Sequence, residues 1–269
     1  MKCVPCDLLF VSPRLTGESI AAKYADKSYF EREESATGYQ NYLADRDLHL
    51  AFFRRQLDDL ERLTPKGTLL DVGCAGGFLV QEAVRRGWSA EGVELSPFAS
   101  EYAREKLGLK VVTGSLRAAG FPDETFRAVF MDDVIEHFED PLVEAIEVAR
   151  ILEPGGWFFL HTPNAASPWR HLMGRRWVHL KPDEHLFYFD PASITKLLKK
   201  AGFEVVSVRA CSKATNLQYI FGVVGKRMPR LGRTVNRLFG SSAFWRAPFP
   251  FRGGGMQVIA RKVAPRADL

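Results

Sequence analysis

From Thr68 onward, two rhythms of apolar and polar residues alternate along the chain. Short β-rich runs fall at 68–74, 89–95, 110–115, 127–132, 156–162, 204–211 and 255–262, and amphipathic stretches of helical spacing separate most of them. Strands alternating with helices in this way build a mostly parallel sheet covered on both faces, so the expected fold is α/β, a doubly wound seven-stranded sheet. Ahead of it, residues 35–63 read as helix, with Leu48, Phe52, Leu57 and Leu60 set among charges, and would form an N-terminal helical cap. Residues 1–34 read as an irregular, polar segment.

Three helix starts carry the same mark. Ser96-Pro97, Asp140-Pro141 and Asp190-Pro191 each place a capping side chain before a proline at the first helical position. The helix after Pro191 puts Ile194, Leu197, Leu198 and Ala201 on one face and ends at Gly202, which suits a left-handed cap. Between the last two β-rich runs the pattern breaks: Pro229, Pro248, Pro250 and Gly253-Gly254-Gly255 mark an excursion. Residues 212–252 thus read as a basic amphipathic insertion into a domain made of 35–211 and 253–263. Tyr219, Ile220, Phe221, Leu231, Val235 and Leu238 alternate there with Lys226, Arg227, Arg230, Arg233 and Arg237, as in interfacial helices.

Charge sharpens that reading. The net charge is +5, yet after Glu204 the sole acidic residue is Asp268, against twelve Lys or Arg. A basic tail on an acidic body suits an anionic membrane surface, a phosphorylated lipid, a glycan or a nucleic acid, or simply a solvated face. No window approaches the ~20 apolar residues of a spanning helix, and the first residues lack the apolar core of a signal peptide. Cys3, Cys6, Cys74 and Cys211 are too few and too uneven for a disulfide framework, so a cytoplasmic location is expected, with the inner face of the membrane as a peripheral site. Cys3 and Cys6 lack the second pair of ligands that a tetrahedral zinc site needs.

The chemistry begins at Asp71-Val72-Gly73-Cys74-Ala75-Gly76-Gly77, where a strand runs through small residues into a helix and a nucleotide-like ligand can approach backbone. The glycines do not keep the G-x-G-x-x-G spacing of dinucleotide oxidoreductases, and Asp71 stands where those enzymes carry an apolar residue. Glu94 ends the next strand, where a carboxylate can accept two ribose hydroxyls. Downstream come Gly114-Ser115-Leu116, Phe121-Pro122-Asp123, Asp133-Val134-Ile135-Glu136-His137, Leu152-Glu153-Pro154-Gly155-Gly156 and Thr162-Pro163-Asn164.

In that order, these segments resemble the class I S-adenosylmethionine-dependent methyltransferase superfamily, and within it the ubiquinone-biosynthesis O-methyltransferase-like subgroup. The resemblance covers about residues 36–211 and the final strand. It implies a Rossmann-like methyltransferase fold with an antiparallel last strand and S-adenosylmethionine as cofactor. Asp71, Gly73, Cys74, Ala75 and Gly77 would hold its methionine part, Glu94 its ribose, and Leu95, Ser115 and Leu116 its adenine. Many relatives carry Asp at the position of Ser115, and a glycine at that of Ala75. Asp132, which closes the following strand, is a further cofactor candidate or a solvated acid. Tyr39 and Tyr42 would close over the cofactor or, as aromatics at helical spacing, pack in the core.

Transfer from a sulfonium asks the protein chiefly for alignment of the nucleophile. A neutral histidine could take a hydroxyl proton, and His137, His161 and His185 are candidates, with His137 and His185 assigned the catalytic role. Asp133, Glu136 and His137 also resemble the Glu-x-x-Glu-His metal motif of ubiquinone-type and small-RNA 2′-O-methyltransferases, with His185 in the place of a further histidine. These four would hold Mg²⁺ or another divalent cation. The expected reaction is O-methylation of a small-molecule, lipid-linked or glycan-associated acceptor, with peripheral contact to anionic membrane through 217–252. An RNA 2′-hydroxyl is the alternative acceptor, although no RNA-binding module is recognisable, and a non-catalytic cofactor-binding scaffold is a second alternative.

Overall fold

The computed structural model describes residues 1–4, 7–14, 46–215, 217, 237, 245, 247 and 249–263. The sheet strands are β2 (Thr68–Val72), β3 (Ser89–Glu94), β4 (Val111–Thr113), β5 (Phe126–Asp132), β6 (Leu152–Pro163), β8 (Phe203–Thr215) and β9 (Phe249–Lys262), in spatial order β4-β3-β2-β5-β6-β9-β8. Every pairing from β4 to β6 is parallel; β9 enters antiparallel between β6 and β8. The expected doubly wound, mostly parallel seven-stranded sheet is therefore present, with its last strand antiparallel.

Both faces are covered because strand residues alternate sides. Leu69, Ala128, Phe130, Phe159 and Ile259 face one layer, packed against Phe52, Leu57 and Leu60 of α1 (Arg46–Leu63), Phe78 and Leu79 of α2 (Phe78–Arg85) and Ala103 of α3 (Pro97–Leu107). Leu70, Val129, Met131, Phe158 and Leu160 face the other, against Val148 of α4 (Pro141–Ile151) and Ile194 and Leu198 of the helix Pro191–Lys200. Buried on two sides, these strands read as near-continuous apolar runs.

The capping residues act as their sequence suggests. Asp140 accepts from the N–H groups of Leu142 and Val143, and Ser96 from that of Ala99. Asp190 and Ser193 exchange bonds in a full capping box. Gly202 closes the last helix at φ 91°. α1 is fastened to the far edge of the sheet by polar contacts: the Gln257 amide donates to the Gln56 carbonyl at 3.3 Å, and Arg209 bonds both Gln257 and Asp59.

Two expectations change. Residues 212–215 and 249–252, assigned to the insertion, continue β8 and β9 as a hairpin down to the pair Thr215↔Phe249. β6 stops pairing at Pro163↔Gly255, so β9 beyond that point is bonded on one side only, and Pro250 needs no ladder donor on the other. The N-terminal segment is not wholly irregular, since Leu9–Phe10 (β1) pairs antiparallel with Phe187–Tyr188 (β7). Residues 35–45 of the expected helix, Cys6, Tyr39, Tyr42 and most of 217–248 lie outside the described residues. No described helix is long and apolar enough to cross a membrane.

Candidate active site at the carboxyl edge of the sheet

The carboxyl ends of β2, β3 and β5 lie side by side, which brings Asp71, Glu94 and Asp132 to one edge. After β2 the chain turns through Gly73 (φ 71°), Ala75 (φ 46°) and Gly77 (φ 80°) before α2 starts at Phe78. A Cβ on Gly73 would lie 2.5 Å from Val134, and one on Gly77 would lie 2.7 Å from Leu109, so both glycines answer close approach as well as backbone conformation. Ala75 adopts the left-handed conformation with a side chain, at a cost of about 1 kcal/mol. Glu94 holds it there: one carboxylate oxygen accepts the Ala75 N–H and the other the Ser96 N–H, each at 2.8 Å. Cys74 packs beneath the turn in the space that Gly92 leaves open, and burial pushes its thiol well above the usual range.

Burial, and then the charges of Asp132 and Glu94, raise the proton affinity of Asp71 well above the ordinary carboxylate range. Glu94 is raised too, by burial, against the opposing pull of its backbone donors. Leu95 is 41% exposed beside this edge, an apolar side chain open to a flat ligand. Ser115 caps the next turn by accepting from the Ala118 N–H. The Leu116 side chain is buried in the core, so only its backbone could meet an adenine.

Beyond Asp132 a short 3₁₀ turn, Ile135–His137, and the segment leading into β7 bring together Glu136, His137 and His185. One ligand atom from each lies within 4.8 Å of the others. Nδ1 of His137 is 2.9 Å from the Glu184 carbonyl and Nδ1 of His185 is 2.9 Å from the His179 carbonyl. A carbonyl can only accept, so each Nδ1 is the protonated donor and each Nε2 carries a lone pair. Burial holds His137 down to about 4; burial and then the neighbouring His137 hold His185 down to about 2, so both rings are neutral. Glu136 accepts from the Thr162 hydroxyl through one oxygen, while its other oxygen is buried without a hydrogen-bond partner. Burial and then Asp133 push its carboxyl up to about 8.

Asp133 does not join that group, a correction to the expected four-residue set. With φ 53°, it turns its carboxylate toward a second cluster with Asp132, His161 and Lys213. Lys213 Nζ is 2.6 Å from Asp133 and 3.1 Å from Asp132; His161 Nδ1 is 2.8 Å and 3.0 Å from the same two acids. Burial favours protonated acids, but Lys213 and then His161 hold Asp133 well below its usual value. Burial and Lys213 oppose the charge on His161, yet the two carboxylates keep its proton affinity well above normal. Phe52 of α1 roofs the cluster, its ring 5.0 Å from the ammonium. Sequence reasoning missed Lys213, which it placed in the insertion; the alternation Cys211, Lys213, Thr215 at the end of β8 was the available signal.

A family model described as a methyltransferase domain matches residues 39–208. The ubiquinone biosynthesis O-methyltransferase of Thiobacillus denitrificans is 30% identical over 149 residues, 51% of this chain and 64% of that protein. The chain thus spans about three fifths of the length of the curated relatives it matches. A SAM-dependent methyltransferase from Archaeoglobus fulgidus shares the fold with a TM-score of 0.58 at 16% identity, over 83% of this chain and 97% of that one. So does the cyclase SpnF, with a TM-score of 0.53 at 20% identity, over 91% and 90%. Likeness at these identities is one of fold, and the fold serves more than one kind of chemistry.

Proposed function

Since the chain belongs to the methyltransferase-domain family, within the class I S-adenosylmethionine-dependent superfamily, we propose that it is an enzyme that moves the methyl group of S-adenosylmethionine to an oxygen of a small-molecule, lipid-linked or glycan-associated acceptor. The observation that carries the cofactor reading is Glu94. Each oxygen of its carboxylate accepts one backbone N–H and keeps a second lone pair, so the group that shapes the turn can also receive both hydroxyls of a ribose. Asp71 and Asp132 supply negative charge for the ammonium of the amino-acid end and for the sulfonium. The cofactor supplies a methyl group already activated by a sulfonium; the residues here align and exclude water.

Protonation gives a direct test. Asp71 and Glu94 must be ionised to accept these donors, and both hold protons more tightly than free carboxylates. Cofactor affinity is therefore expected to rise with pH above the ordinary carboxylate range. The linkage runs the other way for the empty protein: raised folded-state pKa values mean that the native state binds more protons than the unfolded chain, so stability declines as pH rises through that window. Melting temperatures with and without S-adenosylmethionine should move apart as pH rises above the ordinary carboxylate range. A separation that narrows with pH would contradict the assignment.

For the acceptor hydroxyl, Glu136, His137 and His185 offer two neutral imidazole lone pairs and a carboxylate oxygen that lacks a partner, a donor set that fits a divalent ion. Two nitrogens and one oxygen favour a borderline metal such as zinc, cobalt(II) or iron(II) over a hard cation such as magnesium. Such an ion would lower the pKa of a bound hydroxyl. Removing metal with a chelator is expected to abolish methyl transfer, with recovery on adding back one of these ions and stoichiometric metal by elemental analysis. Full turnover in chelator would reduce the three residues to packing and acceptor contacts.

The described residues carry no recognisable nucleic-acid module, and curated relatives that are named as ubiquinone biosynthesis O-methyltransferases support the first reading over RNA. Methyl-acceptor profiling of an extract with labelled cofactor, fractionated into lipid, glycan and RNA, would decide among them.

A further inference from the structure

Asp71, Glu94 and Asp132 meet at the cofactor edge, and neighbouring like charges drive one another toward protonation unless a cation is near. The chain supplies its own. Lys213 bridges Asp132 and Asp133, and His161 contacts the same two carboxylates. The ammonium is locked by more than charge: it sits over the Phe52 ring, which also meets the edge of His161 at 5.4 Å. Gly255 admits His161, since a Cβ there would stand 2.5 Å from Nε2. Asp133 accepts a left-handed backbone to reach the pair.

This cluster is built around charge, and the reaction changes charge. If the cofactor is S-adenosylmethionine, as proposed above, the S–CH₃ bond breaks as the O–CH₃ bond forms. The cationic sulfonium becomes a neutral thioether, and the acceptor's proton leaves with a base. Without Lys213 the edge would carry one more uncompensated negative charge, grip the cationic ground state and release that grip as the charge disperses, which slows transfer. We propose that Lys213 sets the net charge of this edge and thereby limits its preference for the cationic donor over the neutral thioether product.

Lys213 so acts as a charge-setting residue: it positions Asp132 and Asp133 and need not touch the reacting atoms. Donor and product share the same adenosine and amino-acid groups, so the ratio of their affinities isolates the sulfonium charge. Titration calorimetry of Lys213→Met with S-adenosylmethionine and with S-adenosylhomocysteine is expected to show that ratio shifted toward the donor by about threefold to tenfold, the size of one nearby charge in a partly shielded site. The donor KM should fall together with kcat, a pattern that loosened packing does not produce. Lys213→Arg should keep the wild-type ratio. If Lys213→Met fails to fold, Asp133→Asn, which adds net positive charge, should shift the ratio the other way. An unchanged ratio, or both ligands weakened alike, would overturn the proposal. Wild-type protein that binds neither ligand would overturn the cofactor reading beneath it.

Discussion

Replacing Glu94 by glutamine is expected to weaken S-adenosylmethionine binding by about a hundredfold, the largest single effect on function that the site offers. The carboxylate is buried, and both its oxygens already accept backbone donors at 2.8 Å. An amide keeps one acceptor oxygen and presents its N–H groups to one of those donors, so either Ala75 or Ser96 loses its partner. The charge that strengthens the ribose bonds also goes. Hydrogen bonds to a charged group are worth about 1.5–3 kcal/mol each, and losing one while weakening another amounts to about 3 kcal/mol, or two decades in affinity. Calorimetry on folded Glu94→Gln reads this directly. Affinity within a few-fold of wild type would remove Glu94 from the ribose site.

The largest effect on stability is expected at Gly73. An alanine there must adopt φ near 71° and place its Cβ 2.5 Å from Val134 Cγ2. The backbone conformation costs about 1–2 kcal/mol, and the overpacking about 1–3 kcal/mol more. Gly73→Ala should lower the unfolding free energy by about 2–5 kcal/mol, measured by denaturant titration at constant m-value. Pairing it with Val134→Ala separates the two costs: the double variant should recover the overpacking share and keep the conformational one. Full additivity would mean that Val134 simply moves aside. Because Val134 lies between Asp132 and His137, a shift there would also disturb both clusters at the sheet edge.

Much of the fold was legible because local chemistry and tertiary structure agree. Asp140-Pro141 and Asp190-Pro191 start helices through caps that involve only neighbours, and strands buried on two faces announce themselves as apolar runs. The residues at the ends of β2, β3 and β5 could be placed along one edge because strand order and direction suffice for that. What escaped depends on distant partners. Pro250 and the Gly253–Gly255 run read as part of an excursion between strands, yet β9 continues through them and tolerates Pro250 because β6 pairs with it no further than Gly255. Asp133 kept the spacing of its motif, but its backbone turns the carboxylate away from Glu136 toward Lys213, 80 residues later. Leu9 and Phe10 gave no strand pattern of their own and become β1 only because β7 lies alongside.

The placement of β9 constrains the order in which the molecule can be completed during synthesis. The five strands β2 to β6 emerge in sequence with every parallel partner available, so the half that gathers Asp71, Glu94 and Asp132 can assemble early. β8 emerges before β9, yet it touches the sheet only through β9, the strand made last of the seven. Until then β6 presents an unpaired edge, and Lys213 has no framework to hold it at its acids. A nascent chain stalled before Phe249 should therefore show a protease-resistant segment through β6 and a sensitive one beyond it. The acids of the cofactor edge would be assembled before the cation that balances them arrives.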